Sequence, residues 1–169
     1  SPDGTLLAFA SDRSGVPRLY LSVRDSADSW SAPVMVLADG EYEFGPEFSA
    51  DGARLYYVGS VATHGLYVAD VLGEDVGPGA RTPDAGGFDV LAPSLSADEL
   101  EVFYTDFALA PDVQRAVRSD RTAPWQPQGP VAELSTPMLE GWTSLAEGDL
   151  AIYYEASAFG PSADIAVAR

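Results

Sequence analysis

Apolar residues in this 169-residue chain fall in short runs, among them Leu6 to Ala10, Leu55 to Val58, Val102 to Tyr104 and Leu150 to Tyr154. Runs of that length, apolar at adjacent positions and bounded by turn formers, predict strands buried on both faces. A turn motif stands ahead of each run. Ser1-Pro2-Asp3-Gly4 recurs as Ser49-Ala50-Asp51-Gly52, then as Ser96-Ala97-Asp98-Glu99, and in degraded form as Ala146-Glu147-Gly148-Asp149, at spacings of 48, 47 and 50 residues. An Asp-Gly pair before an apolar run predicts a tight turn, because glycine supplies the positive φ such a turn demands. Six residues into each copy stands an aliphatic marker (Leu7, Leu55, Val102, Ile152), and two further on an aromatic one (Phe9, Tyr57, Tyr104, Tyr154). All eight are expected to be buried on the second strand of successive repeats.

A following strand is predicted from Leu19, Leu66, Val113 and Ile165. A third apolar stretch is predicted at Val34 to Leu37 and Val131 to Leu134, each preceded by a tryptophan (Trp30, Trp125) and a proline (Pro33, Pro130). A fourth leads into the next turn at Tyr42 to Ser49, Phe88 to Ser96 and Leu139 to Leu145. The best helical candidate, Asp112 to Arg118, is too short to stand alone. Four short strands recurring with one doubly buried strand cannot bury both faces in isolation; radial stacking of like units can. The expected fold is therefore all-β, with β-propeller blades of four antiparallel strands in about four repeats, approximately 1–41, 42–87, 88–138 and 139–169. A β-sandwich also has short, regularly spaced strands, but does not require the same motif in every repeat. The 16 Gly and 13 Pro, spread along the chain, agree with many turns. The chain opens at the turn of its first copy and closes after the second strand of its fourth, so residues 1–169 read as one propeller domain or a fragment of a larger one.

The first copy, SPDGTLLAFASDRSGVPRLYL, has the Ser-Pro-Asp-Gly turn, Phe9, Ser11-Asp12-Arg13 and Leu19-Tyr20, followed by Arg24, Trp30 and Pro33-Val34. It resembles the WD40-like, TolB-type (PD40) β-propeller repeat, and the resemblance runs over essentially the whole chain. The third copy departs from it at Glu99, where the turn glycine is missing, and at Arg115, where an aliphatic is usual. The fourth departs at the turn. The resemblance implies a propeller and a location outside the cytoplasm, in the periplasm or at the cell surface. It implies no one activity, since propellers serve many.

Charge narrows the functions. There are 26 Asp and Glu against 9 bases, all of them arginine, for a net charge of −17. That balance excludes a nucleic-acid binder, which needs a basic surface to displace counterions. The absence of cysteine excludes a thiol nucleophile and Cys-ligated metals, and one histidine excludes a multi-histidine site. No apolar run is long enough to span a membrane. The repeated aspartates read as turn formers rather than calcium ligands, because no flanking acids alternate with them. His64 has Ser60 and Asp70 nearby in sequence, but no G-x-S-x-G elbow accompanies them, so it reads as an exposed loop histidine. Trp30 and Trp125 read as packing residues at matching positions, and Trp142 as a plug between blades.

The reading that follows is a non-enzymatic scaffold mediating protein or polysaccharide binding, with no cofactor and no metal. The alternative is the propeller of a hydrolase, either a glycosidase using acids such as Asp12, Asp106 and Glu155 or the gating domain of a serine peptidase. Loops 10–18, 59–65, 105–112 and 155–163 are expected to share a face with connections 38–44, 82–89 and 135–141. That face is rich in acids, so a basic partner is expected there, with Asp12, Arg13, Glu41, Glu43, Asp106 and Glu155 as binding residues.

Overall fold

Each Asp-Gly motif folds as the same hydrogen-bonded turn in a computed structural model, which describes residues 1–37, 40–60, 64–85, 89–106, 112–137, 139–146, 148–149, 151–157 and 164–168. In the first turn the Ser1 hydroxyl donates to Asp3 Oδ1 at 2.6 Å, the same oxygen accepts the Thr5 N–H at 3.1 Å, and the Leu6 N–H donates back to Ser1 Oγ at 2.9 Å. Ser49 and Asp51 repeat this set with Ala53 and Arg54, and Ser96 and Asp98 with Leu100 and Glu101. Gly4 and Gly52 take φ of 71° and 70°. Glu99 takes 64° without being glycine, and is held by an ion pair to Arg121 at 3.0 Å and by Arg118 Nε donating to its carbonyl at 2.7 Å. The repeated aspartates are thus turn locks.

Those hydrogen bonds act on the ionised form. The Ser1 hydroxyl, then the Thr5 N–H and hydroxyl, hold the Asp3 carboxyl at about 2, below its ordinary 3.8. Asp98 is lowered in the same way, first by Ser96 and then by the Leu100 N–H. A carboxyl depressed in the folded state contributes stability that is complete above its unfolded value and is lost as pH falls towards the folded one. The first turn should therefore loosen between about pH 4 and pH 2. NMR titration of the Asp3 carboxyl is expected to give a midpoint near 2; an ordinary midpoint would show that the lock does not persist in solution.

The strands form four antiparallel sheets in chain order. The first has β1 (Leu6–Ser11) against β2 (Arg18–Ser26), with β3 (Ser29–Trp30) and β4 (Val34–Leu37) both pairing β2. The second runs β5 (Tyr42–Phe48), β6 (Arg54–Ser60), β7 (His64–Leu72), with β8 (Asp75–Val76) and β9 (Ala80–Arg81) both pairing β7. The third runs β10 (Leu91–Leu95), β11 (Glu101–Thr105), β12 (Val113–Val117), β13 (Gln126–Pro130), and the fourth β14 (Leu139–Ala146), β15 (Ala151–Ser157), β16 (Asp164–Ala168). This is the all-β, blade-by-blade architecture that the repeat predicts. The chain divides into two compact units, Ser1–Thr82 with the first two sheets and Pro83–Arg169 with the last two.

Marker residues sit where one sheet packs on another. In the first unit Leu55 and Tyr57 of β6 meet Leu6, Leu19, Leu21 and Leu37 of the first sheet. In the second unit Ile152, with Tyr154 packed beside it, meets Val113, Leu134 and Phe103. Val102 and Tyr104 are also fully buried. Leu7 corrects the expectation: it is 44% exposed. Alternate side chains of a strand point to opposite faces, and within each unit the marker face turns towards the preceding sheet. On β1 it is Leu6 and Ala8 that reach the core, while Leu7 and Phe9 point away from it.

Other expectations also need correction. Val131 to Leu134 is a turn rather than a strand, closed by the Leu134 N–H on the Val131 carbonyl at 2.9 Å. The strand lies just before it, at Gln126–Pro130, on the outer edge of its sheet where proline is tolerated. Asp112 to Arg118 contains β12, since pairing with β11 overrides weak helical propensity. Trp125 is fully buried under Arg118, but Trp30 is exposed at the sheet edge beside Arg24. Trp142 is no plug, being 57% exposed. His64 opens β7 rather than lying in a loop. The starts predicted at Phe88 and Leu150, and the loop acid Asp39, lie outside the described residues.

Candidate functional site

In the first unit, three connections meet at the end of the strands opposite the Asp-Gly turns. The Glu43 N–H donates to the Pro17 carbonyl at 3.0 Å and the Glu41 N–H to the Ser60 carbonyl at 2.7 Å. Arg18, at the start of β2, donates through Nη1 to both Glu43 carboxylate oxygens at 2.9 Å and to the Gly40 carbonyl at 2.7 Å. The Gly40 N–H donates to Glu43 Oε1 at 2.8 Å, so the carboxylate, 1% exposed as a residue, is fully engaged. Asp12 and Glu41 are exposed. Arg13 lies 4.6 Å from the Tyr20 ring centroid and 5.3 Å from that of Phe9, with Nε donating to Ser11 Oγ. Tyr42 Oη lies 2.8 Å from His64 Nε2. Asp70 pairs with Arg54 at the far end of β7, so Ser60, His64 and Asp70 are not brought together as a triad.

The corresponding end of the second unit is more acidic. Thr105 pairs with Val113, Gly141 with Glu155 and Ala156 with Asp164, which places Asp106, Asp112, Glu140, Glu155 and Asp164 at that end. Asp106 and Glu140 are buried, Asp112 and Glu155 half-buried, and Asp164 exposed. Burial first, and then the Asp106 charge, pushes the Tyr104 phenol up to about 12. No arginine stands at this end among the described residues, whereas the turn end of the same unit holds Arg118 and Arg121 with Asp98, Glu99 and Asp120.

Glu140 occupies the position of Glu43 in its own repeat, 97 residues on. Both of the donors that satisfy Glu43 have changed. Arg18 pairs with Ser11, and the matching place in the third sheet is filled by Asp112. Gly40, three residues before Glu43, becomes Pro137, which has no N–H to give. Glu140 Oε1 accepts the Thr136 hydroxyl, and the buried Oε2 has no hydrogen-bond partner among the described residues. The 97-residue spacing of the two glutamates was the signal in the sequence. Nothing there showed that one carboxylate would be satisfied and the other left with an open oxygen.

A second feature of this end escaped sequence reasoning. A surface cavity of about 380 Å³ is lined by Trp142, Ser144, Tyr153, Tyr154, Glu155, Asp164 and Ile165. Among the described residues no cluster of three or more His, Asp or Glu is placed to hold a metal ion, and no helix is long and apolar enough to cross a membrane.

Four antiparallel sheets in chain order, three of them carrying the same hydrogen-bonded turn, define β-propeller blades. The chain is similar to the crystal structure of TolB from Acinetobacter baumannii, with a TM-score of 0.61 over 98% of this chain at 18% sequence identity. At that identity the likeness is one of fold, and the sheets are blades of the TolB type. The chain spans 38% of the length of that protein. No protein-family model and no curated protein matches the chain.

Proposed function

We propose that the chain serves as a non-enzymatic propeller scaffold outside the cytoplasm, residues 1–169 forming one propeller domain or a fragment of a larger one, and that it binds a protein partner carrying a basic patch. The observation that carries this reading is the one-signed end of the second unit, where Asp106, Asp112, Glu140, Glu155 and Asp164 gather with no arginine among the described residues. A patch of one sign attracts and orients a partner of the opposite sign, and its reach shrinks to about 8 Å at physiological ionic strength. Asp12 and Glu41 are exposed in the first unit, and in the second Asp164 is exposed with Asp112 and Glu155 half-buried. Asp106 is buried and would act through its field, whereas Glu43 is buried and its charge is compensated by Arg18. Arg13 contributes a guanidinium already stacked on Phe9 and Tyr20. The repeat resemblance supports the location.

Titration of the full chain with a fluorescent octalysine peptide at low and physiological salt tests this. Asp106→Asn/Asp112→Asn/Glu140→Gln, all within the second unit, is expected to weaken binding about tenfold, roughly 1.4 kcal/mol. Asp25→Asn/Asp28→Asn/Glu74→Gln, which removes equal charge from exposed hairpins elsewhere, should change it by less than about twofold. Equal losses in the two triple variants would reduce the attraction to net charge and end the reading.

A further inference from the structure

The first unit shows what the glutamate of this repeat position accepts. Arg18 Nη1 is cradled by three oxygens, both of the Glu43 carboxylate and the Gly40 carbonyl, at 2.7 to 2.9 Å. The Arg18 side chain keeps 16% exposure and that of Glu43 2%, so the guanidinium lies at the surface and seals the carboxylate beneath it. Arg18 stands opposite Ser11 at the end of the β1–β2 pair.

In the second unit the acceptor half of this arrangement is kept and the donor half is gone. Glu140 takes the place of Glu43, and Pro137 that of Gly40, with its carbonyl but no N–H. Asp106 and Asp112 flank the Thr105–Val113 pair where Ser11 and Arg18 stand in the first unit. Glu140 is 1% exposed, and its Oε2 has no hydrogen-bond partner among the described residues. β14 carries it against the third sheet, where the Trp142 N–H donates to Thr105 Oγ1 and the Thr143 hydroxyl to the Phe103 carbonyl. A buried carboxylate is costly unless its charge is paired, and an apolar side chain would fill the same volume without that cost. The place therefore keeps an anion whose cation has to come from elsewhere.

We propose that it receives an arginine of the protein partner, whose guanidinium stands on Glu140 as that of Arg18 stands on Glu43. Half-buried Asp112 lies on the approach and supplies a second carboxylate. A guanidinium carries five donors in a planar fork and can serve two carboxylates at once, whereas an ammonium is a compact point charge. The proposal rests on the basic-partner reading above and deepens it, by naming the anchoring side chain and the oxygen that takes it.

The test uses the full chain and Gly/Ser-flanked heptapeptides with a central arginine, lysine or citrulline. Binding is read by NMR shifts of the Asp112 and Glu140 carboxyl carbons, and folding by thermal melts. The arginine peptide is expected to bind about fivefold more tightly than the lysine peptide and at least about tenfold more tightly than the citrulline one. Asp112→Arg rebuilds the first unit's ion pair from within. It should abolish the preference for arginine and melt above the parent, because Glu140 then has its cation. Glu140→Gln should abolish the preference while remaining folded, and Glu74→Gln, which removes one charge from an exposed hairpin, should leave it intact. Equal binding of the arginine and lysine peptides, or a preference that survives both Asp112→Arg and Glu140→Gln, would overturn the proposal. Octalysine carries no guanidinium and reports the acidic end alone. Octalysine binding without a preference for arginine would remove the anchor and leave the basic-partner reading standing. A preference for arginine without octalysine binding would remove the wider patch and leave the anchor.

Discussion

Tyr57→Ala is expected to destabilise the first unit by about 3–5 kcal/mol, the range for truncating a large buried aromatic. Tyr57 is almost fully buried on β6, in one core with Leu6, Leu19, Leu21 and Leu55. Its ring stacks on Tyr67 at 5.5 Å between centroids. At the far end its hydroxyl fills the space beside Gly79, where an added Cβ would lie 1.7 Å from the oxygen. Nothing small can take over that volume, so truncation leaves a cavity under two packed sheets. Urea unfolding monitored by circular dichroism measures the loss. Phe9→Ala at the matching position of the first sheet should cost less, because Phe9 is only half-buried. Equal losses at the two sites would contradict the packing described for the marker face.

Arg18→Ala comes second, at about 3 kcal/mol. Removing one partner of a buried ion pair typically costs about 3–5 kcal/mol, because the other charge is left without compensation. The lower end applies here, since the Arg18 side chain keeps 16% exposure while that of Glu43 keeps 2%. The loss should be visible as a lower midpoint in the same urea titration. Replacing both residues, as Arg18→Met/Glu43→Leu, should cost markedly less than Arg18→Ala, because no charge is then stranded. A double variant as damaged as the single one would mean that the arginine acts through packing of its stem rather than through Glu43.

Both sites show why part of the protein was legible from residues alone. The Ser-x-Asp-Gly turns are local objects: serine, aspartate and glycine within five residues satisfy one another, so the motif and the structure coincide even where Glu99 replaces glycine. The strands after them follow from apolar runs at a 47- to 50-residue spacing, and stacked antiparallel blades are the arrangement that buries both faces of such runs. The grouping of loop acids at one end also follows from strand order, because antiparallel pairing returns every second connection to the same side.

Tertiary structure decided what depends on a neighbouring sheet. Leu7 carries the repeat's marker yet is exposed, since a side chain is buried only by what lies across from it, and the marker face of β1 points away from the core of its unit. Val131 to Leu134 is apolar enough for a strand, but the turn brings Leu134 into the core beside Val113 and Ile152 with Val131 packed against it, a placement alternating strand side chains would not give. Glu43 and Glu140 are the same residue in the same register. Their difference lies in Arg18 against Asp112 and in the Gly40 N–H against Pro137, partners that become partners only after the sheets have paired. Trp142 reads as a packing residue until the bulge turns its backbone left-handed and places the ring on the surface, beside acids that lie far from it in the chain. Sequence thus determined which elements form and how often they repeat, because those preferences act over a few residues. The identity of each side chain's neighbour, and with it burial, charge compensation and the shape of the candidate site, was set only by the packing of one sheet on the next.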